Sequence, residues 1–378
     1  MVGNDATNAG RFAYMEDLVL GGSDSYTTGI RQDTYYSGPS WNRYFNPDLT
    51  WEVGEKINLG LDLQLFNDFN LTFDIFREKR RDIFMTRENS IPEIVGTGET
   101  KITSNNGEME NKGLDLAIDY NKQITKDFFL SFKSTLTFAR NKVLKMDEPP
   151  YFEYPGLSDV GHPLGTYWGY VADGLFPDQE TIDNSPRQDL GYTPQPGDIK
   201  YVNQPNAKGE YDNVINSNDR VAIGHPYDPE LVYGFGPSMK WKNWDFSFFF
   251  QGVARTSFMM YGMHPFGTTS IKNMLQFVAD DHWSVDNPNP NAAYPRLTKD
   301  SNGNNDQYST YWLRNAAFLK LKNAEIGYTY KGMRFYLSGV NLLTFSPFKH
   351  WDPEMGGGNG LYYPTQRVFN IGFQMTIQ

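Results

Sequence analysis

The chain has 378 residues, a net charge of −11 and no cysteine. The lack of cysteine excludes a disulfide framework and a thiolate metal site, and the acidic balance without a basic stripe argues against a nucleic-acid partner. Aromatic residues make up 16% of a chain in which hydrophobic residues total only 39%. This combination is typical of strands with one wet and one apolar face, including those of membrane barrels.

The first 45 residues carry little regular pattern. They are rich in Gly, Asp, Ser, Thr and Tyr, with one short strand candidate at residues 11–15. The amino terminus has no charged region followed by an apolar core, so no signal peptide is expected. No apolar run in the sequence approaches the roughly 18 residues of a membrane helix.

Two hairpins follow, in which apolar and polar residues alternate. A period of two is the signature of a strand whose two faces meet different solvents. The first hairpin turns at Asn67-Asp68 and the second at residues 125–127. Their apolar positions are Ile57, Leu59, Leu61, Leu63, Leu65, Leu71, Phe73 and Ile75, and then Leu114, Leu116, Ile118, Tyr120, Phe128, Leu130, Phe132, Leu136 and Phe138.

The polar stretches 77–110 and 141–164 are interpreted as long loops at the end of the hairpins opposite the short turns. Short turns at one end and long loops at the other is the layout of outer-membrane barrels. Asp62, Asp115 and Asp119 lie within these otherwise apolar strands. A dry core would make unpaired carboxylates costly, whereas a wet lumen would not.

The second half repeats the pattern around longer insertions. Residues 146–229 form the longest predicted loop, and residues 261–311 form another, with a helix candidate at 271–281. Further strands are predicted at 231–241, 244–251, 318–330, 333–345 and 369–377. The sequence therefore predicts an all-β, antiparallel protein of about ten strands with long loops.

Nine sequence motifs follow one another from residue 46 onward: NPDLTWE (46–52), NKGLDLAIDY (111–120), VGHPLGTYWGYVADGLF (160–176), PGDIKYVN (196–203), NDRVAIGHPYDPELVYGF (218–235), FSFFFQG (246–252), LRNAAFLKLKNAEIGY (313–328), FYLSGVNLLTFSPFKHWDPE (335–354) and YPTQRVFNIGFQMTI (363–377). Their order and number resemble the carboxy-terminal part of SusC/RagA-type TonB-dependent outer-membrane transporters.

The resemblance implies a transmembrane β-barrel of about 22 strands, plugged by an amino-terminal domain. Residues 1–378 would be the carboxy-terminal part of that barrel, with plug domain, TonB box and signal peptide absent. It also implies the outer membrane of a Gram-negative bacterium, a SusD-like surface lipoprotein partner, and import of glycans, oligosaccharides or peptides driven by the TonB complex through the missing amino-terminal part. No enzymatic step is expected, and the chain alone is not expected to transport.

The sequence differs from family members in two ways, and two other fold classes are considered as alternatives. The chain is shorter than full-length members, and Ile377 and Gln378 stand where members end on an aromatic residue. A soluble β-sandwich carbohydrate-binding module would have strands of about five or six residues, whereas strands 57–65 and 128–138 approach the roughly nine to eleven that cross a bilayer. A small closed porin of about ten strands fits the strand count but not the resemblance.

Candidate contact residues follow from the same interpretation. The side chains expected to contact outer-membrane lipid are Leu61, Leu63, Leu116, Phe132, Phe246, Phe248, Phe250 and Ile371, with Phe373 beside them. Six loop aromatics could stack on sugar rings or peptide side chains, with packing inside the loops as the favoured alternative for any one of them. They are Tyr167, Trp168, Tyr170, Trp351, Tyr362 and Tyr363.

No catalytic motif stands out, and no cofactor is expected. The five histidines have no metal-ligand spacing, and no nucleophile elbow, P-loop or dinucleotide fingerprint occurs. The loop 198–219 corresponds to a region that often resembles an acidic calcium loop in the family, but asparagine replaces most of the acids. Calcium is therefore kept only as an alternative to an ordinary polar loop. The residues concerned are His162, His225, His264, His282 and His350, and then Asn203, Asn206, Gly209, Asp212, Asn213, Asn216, Asn218 and Asp219.

Overall fold

The computed structural model describes residues 12, 14–21, 25–87, 89–92, 94, 102–261, 275–298 and 302–375. Within these ranges, strands dominate and the two α-helices have five residues each. Neither of the described helices is long and apolar enough to cross a membrane.

The described strands fall into long elements that build one sheet and short elements in the connections. The strands are β1 Asp17–Val19, β2 Ser25–Thr28, β3 Thr34–Ser37, β4 Ser40–Arg43, β5 Val53–Leu65, β6 Phe69–Arg87, β7 Ile102–Thr125, β8 Phe128–Lys145, β9 Tyr167–Gly169, β10 Ala172–Leu175, β11 Arg187–Gln188, β12 Ile199–Tyr201, β13 Val214–Ile215, β14 Val221–Ile223, β15 Leu231–Trp241, β16 Trp244–Ala254, β17 Ser257–Met259, β18 Leu313–Asn315, β19 Phe318–Tyr330, β20 Met333–Phe345 and β21 Val368–Met375. The helices are α1 Gln179–Asp183 and α2 Gln276–Asp280, with 3-10 turns at Pro155–Leu157, Ser217–Asp219 and Pro353–Met355.

Nine long strands form one antiparallel sheet in the order β21-β20-β19-β16-β15-β8-β7-β6-β5. Apart from the long insertions, strands that follow one another in the chain are neighbours in the sheet. At one end, which we call the turn end, the hairpins close in tight turns such as Lys331-Gly332, where both residues have positive φ (46° and 81°). At the other end, the loop end, the long connections leave the sheet.

The strand register separates apolar from polar side chains across the whole sheet. Directly opposed residues of an antiparallel pair point to the same face, and Leu61 opposes Phe73, which opposes Leu116. The same row passes from Leu116 through Leu136 and Tyr233 to Gly252 of β16. All eight residues predicted to contact lipid lie on this side, which we call the apolar face, and many of its side chains are exposed, Leu59 by 73% and Ile371 by 88%.

The opposite side, the polar face, carries the three carboxylates that the sequence analysis assigned to a wet surface. Asp62 accepts a hydrogen bond from Thr72 (2.8 Å), and Asp115 accepts one from Thr137 (2.6 Å). Asp119 lies 3.5 Å from the ammonium group of Lys133. The prediction of two chemically different faces is therefore confirmed.

The prediction that residues 77–110 form a long loop is wrong over most of its length. β6 continues to Arg87 and β7 begins at Ile102, so that two strands of 19 and 24 residues extend well beyond the rest of the sheet. Charged residues occupy both faces of this extension and pair across it, as Lys79 does with Glu108 (3.2 Å). A strand wetted on both faces loses the apolar alternation from which strands are recognised, although its backbone ladder continues.

Smaller differences concern counts and ends. The large sheet has nine strands in the described residues, against the predicted count of about ten, and the 141–164 stretch begins as strand up to Lys145. The strand candidate at 11–15 is a turn in its described residues. The helix candidate at 271–281 is confirmed at α2, and its residues 271–274 lie outside the described residues. Ile377, Gln378 and His264 lie outside the described residues.

Candidate functional site

Three connections at the loop end pack together into one folded body, which we call the loop unit. It consists of the described residues within 146–230, 255–317 and 346–367. Its core is buried and contains side chains from all three connections. They are Tyr170, Leu175, Ile199, Tyr201, Ile215 and Ile223 from the first, Phe258, Met259, Met260, Val278, Trp283, Ala292, Tyr294, Trp312 and Ala316 from the second, and Phe348 from the third.

A buried ionic cluster joins the first two connections. Asp198 is fully buried, and its carboxylate accepts hydrogen bonds from Arg296 Nε (2.7 Å), Asn302 Nδ2 (2.9 Å) and Asn305 Nδ2 (2.9 Å). Burial alone would lower the pKa of Arg296, but the charge and hydrogen bonds of Asp198 outweigh it, so that pKa lies above its ordinary value. This Asp198 cluster fixes segments about a hundred residues apart in the sequence.

Buried amides extend this polar contact. Gln188 donates to the backbone carbonyl of Ile199 (3.0 Å), and Asn304 donates to the same carbonyl (2.9 Å). The Tyr201 hydroxyl donates to the Asn304 carbonyl (2.7 Å), and burial raises its pKa. Because buried polar groups are costly unless satisfied, these bonds define one arrangement of the connections.

The third connection is anchored to the sheet by Lys320, which lies at the loop end of β19 on the polar face. Its ammonium group is fully buried and donates to Asp352 (2.6 Å) and to Glu354 (2.5 Å). Burial alone would raise the pKa of both carboxyl groups, but the hydrogen bonds and charge of Lys320, together with Thr365 at Asp352 and Lys322 at Glu354, outweigh it and hold each pKa below its ordinary value. The loop unit is thus fixed over the polar face.

A cavity of about 380 Å³ lies between the polar face and the loop unit. Glu78, Arg80, Asn111 and Ala139 line it on the sheet side. Glu78 accepts a hydrogen bond from Arg80 (2.7 Å). The cavity is completed by Met109, Asn141, Leu164, Pro226, Asp228, Pro229 and Glu230. Amide, carboxylate and guanidinium groups in one space can hydrogen-bond the hydroxyl or peptide groups of a solute.

Exposed tyrosines cluster on the loop unit near Gly358. A side-chain hydrogen bond joins Tyr261 and Tyr362 and raises the pKa of Tyr261. Tyr167 lies beneath, where burial first and then the neighbouring Tyr227 and Tyr308 raise its pKa to about 12. We call the exposed members, Tyr227, Tyr261, Tyr308, Tyr362 and Tyr363, the tyrosine group.

The six aromatics singled out from the sequence divide by exposure. Tyr170 is 3% exposed within the core of the loop unit, and Trp168 is half-buried, donating to Asp159 (2.6 Å) beside the ring of His162. Trp351 packs on Phe348 and donates to the Gly356 carbonyl (2.9 Å). Packing accounts for these three. Tyr362 and Tyr363 are exposed, and Tyr167 lies beside Tyr227 and Tyr308 of the tyrosine group, so these three stay candidates for ligand contact.

The polar loop 198–219, for which calcium is kept only as an alternative, directs its oxygens to its own backbone. The Asp219 carboxylate accepts from the amides of Gln204 (2.7 Å) and Asn216 (2.8 Å), and Asn206 Oδ1 accepts from those of Lys208 and Glu210. No group of three or more acidic or histidine side chains in the described residues is arranged to hold a metal ion. The residues fit a self-capped loop better than a calcium loop.

The sequence reasoning missed the polar residues that hold the loop unit together. Asp198 stood in the PGDIKYVN motif, and Asn302, Asn304 and Asn305 surround what sequence alone indicates as a turn. The available signal was three asparagines within four residues. Their amide groups can form enough hydrogen bonds to be buried, but the sequence does not show which distant residue they bond.

Comparison with known proteins identifies similar chains. Residues 11–342 match the model of the family described as TonB dependent receptor-like, β-barrel. TonB-dependent receptor P3 of Formosa agariphila is 26% identical over 91% of this chain and 36% of its own length. TonB-dependent receptor SusC of Bacteroides thetaiotaomicron is 27% identical over 96% of this chain and 35% of its own. The chain thus spans little more than a third of these relatives.

Solved structures agree in fold. The RagAB peptide importer in its open-open state superposes with a TM-score of 0.69 at 20% identity, over 97% of this chain and 38% of that one. The RagAB peptide transporter gives a TM-score of 0.66 at 21% identity, over 96% of this chain and 38% of that one. At this identity, the likeness concerns the fold alone.

Proposed function

Because this chain belongs to the TonB-dependent receptor-like β-barrel family, we propose that it forms part of an active importer of nutrients. It is an outer-membrane protein of the SusC/RagA type from a Gram-negative bacterium, and its relatives are transport receptors rather than enzymes. In the proposal, the nine-stranded sheet is barrel wall, the polar face borders the solute path, and the loop unit forms the outer entrance.

The single observation that carries the proposal is the division of one sheet into an exposed apolar face and a polar face. β15 and β16 have 11 residues each, and β19 and β20 have 13. About nine to eleven tilted residues cross a bilayer. We therefore assign the apolar face, with its eight candidate residues, to lipid.

Two features support a solute path along the polar face. The cavity beneath the loop unit offers cationic and anionic hydrogen-bonding groups, and the tyrosine group offers rings for stacking. Sugar rings and peptides both use such contacts, so the proposed substrate is an oligosaccharide or a peptide. The proposed partners are a SusD-like surface lipoprotein above the loop unit and the TonB complex.

The same observation argues against the alternatives. A soluble sandwich would cover its apolar face with a second sheet, and none of the described strands does so. A small porin would close on itself, but β5 and β21 are not paired with each other in the described residues. Since open strand edges are not tolerated in lipid, we propose that the 378 residues do not transport alone.

The proposal can be tested by measuring solute uptake in the bacterium that carries the gene. We expect deletion of the gene to abolish uptake of either labelled oligosaccharides or labelled peptides, and a protonophore to do the same in the parent strain. Affinity purification of the tagged protein should co-isolate a surface lipoprotein. Unchanged uptake of both substrate classes in the deletion strain would contradict an importer.

A matched pair of variants on β8 tests the path itself. Ala139→Trp fills the cavity on the polar face, whereas Leu136→Trp places the same ring on the apolar face. We expect the first to reduce uptake at least about tenfold by blocking the cavity, and the second to leave it unchanged because lipid accommodates an indole. Equal uptake by both variants would contradict a path past Ala139.

A further inference from the structure

Three cations stand side by side across β6, β7 and β8 on the apolar face. Arg77 directly opposes Lys112, and Lys112 directly opposes Arg140. Their side chains are each more than half exposed. The next row toward the turn end is wholly apolar, with Ile75 opposing Leu114 and Leu114 opposing Phe138. The cations therefore mark the upper boundary of the apolar face.

Such a row is unfavourable without anions, because like charges directly opposed on a sheet repel. Glu110, one row further up, lies 2.5 Å from Arg77 and 2.7 Å from Lys112. Arg140 lies 3.1 Å from Glu230, but Glu230 also pairs with Arg255 (2.6 Å). Lys142, exposed beside Glu110, adds a further cation. Positive charge thus exceeds the carboxylates around the row.

A surface cavity of about 640 Å³ joins the two rows. Ile75, Leu114 and Phe138 line its apolar part, and Lys112, Arg140 and Lys142 line its charged part. The Glu110 carboxylate also lines the charged part, where it is paired with Arg77 and Lys112. Because cations exceed carboxylates in the charged part, a ligand with an anionic group attached to an apolar body matches both parts. Such a ligand is an amphiphile lying in the membrane.

We propose that this cationic row binds the phosphate groups of a phosphorylated glycolipid in the outer leaflet. The loop end faces the cell exterior in barrels of this layout, and basic pockets at a membrane boundary bind anionic headgroups. Two guanidinium groups flanking an ammonium group suit phosphate oxygens. The inference rests on the proposed membrane placement, and it does not depend on what is imported.

The test compares lipid binding by the detergent-purified protein and two charge-matched variants. One is Arg77→Gln/Lys112→Gln/Arg140→Gln. The control is Lys126→Gln/Lys242→Gln/Lys331→Gln, which removes three exposed lysines at the turn end. Native mass spectrometry with added lipid A should show one bound molecule on the wild type and the control, and at least about tenfold weaker binding by the first variant, since each lost bond involves a charged group.

Two further probes identify the source of the phosphate. Dephosphorylated lipid A should bind the wild type at least about tenfold more weakly than lipid A, because the row recognises phosphate. Inorganic phosphate at equal concentration should not compete, and full competition would overturn a lipid site in favour of a free-anion site. Wild-type lipid A affinity in the triple variant would refute the proposal.

If the triple variant does not assemble, Lys112→Gln alone gives the test. Lys112 is the centre of the row, and its loss also removes its repulsion with each flanking arginine. Weaker lipid A binding by this variant supports the site, and unchanged binding refutes it. Loss of uptake with normal lipid binding would count against the importer, not against this site.

Discussion

Replacing Phe248 with arginine is expected to prevent membrane assembly, whereas the same replacement at the adjacent Phe249 is expected to be tolerated. Phe248 lies at the middle of β16 on the apolar face, opposite Ala324 of β19. An arginine near the bilayer midplane costs about 2–4 kcal/mol. Phe249 points to the polar face, where its ring covers Gly234, so arginine there loses packing but keeps its charge in water.

The measurement is the yield of folded protein in the outer membrane, with the gel mobility of heated and unheated samples as the test of folding. Phe248→Arg should give little or no folded protein, and Phe249→Arg should give a yield near that of wild type. Equal yields would contradict the assignment of the faces. If only Phe249→Arg lost folded protein, the apolar and polar faces would be assigned the wrong way round.

Replacing Arg296 with methionine is expected to loosen the loop unit without unfolding the sheet. Asp198 would stay in a fully buried site and lose its cationic partner. Breaking a buried ion pair from one side costs about 3–5 kcal/mol, although the amides of Asn302 and Asn305 retain part of the stabilisation. Hydrogen exchange should accelerate in residues 187–201 and 302–312 and stay unchanged in β19 and β20.

The nearby pair of Lys200 and Asp173 provides the control. Its atoms lie 2.9 Å apart, but the aspartate side chain is 60% exposed. An exposed ion pair contributes less than about 1 kcal/mol, so Lys200→Met should leave the exchange rates near those of wild type. Similar acceleration in both variants would show that burial of Asp198 does not govern the stability of the loop unit.

The sheet was predictable because its two faces meet different solvents. Leu61 and Leu116 lie in runs with a strict period of two, and their register across the sheet follows from keeping that period on one side. The resemblance drawn from the nine motifs is confirmed by the family match. The alternation of apolar and polar residues identified the strands.

The extension of β6 and β7 was not predictable by this criterion. Beyond Ile75, charged side chains such as Arg77, Lys79 and Glu110 fall on the face that is apolar lower down. Their cross-strand partners stabilise the ladder only when both strands are already paired. A single sequence gives no sign of that pairing.

The folded loop unit also escaped the sequence analysis, for a different reason. Its core unites residues such as Ile199 and Phe348, each of which stands in a polar, proline-containing stretch without periodicity. Its central contact, between Asp198 and Asn302, joins residues 104 positions apart. Local patterns identify which side chains can be buried, but not which distant group satisfies them.

The most direct test of the account is a cysteine scan of β16 and β20, which is free of background because the chain has no native cysteine. Single cysteines would replace Phe246, Ser247, Phe248, Phe249, Leu337 and Ser338 in the protein reconstituted in lipid bilayers, and a charged, water-soluble maleimide would be added. We predict labelling at 247, 249 and 338, and protection at 246, 248 and 337 until detergent dissolves the bilayer. Labelling without this alternation, or protection of the polar-face set alone, would contradict a sheet with one face in lipid and the other in water.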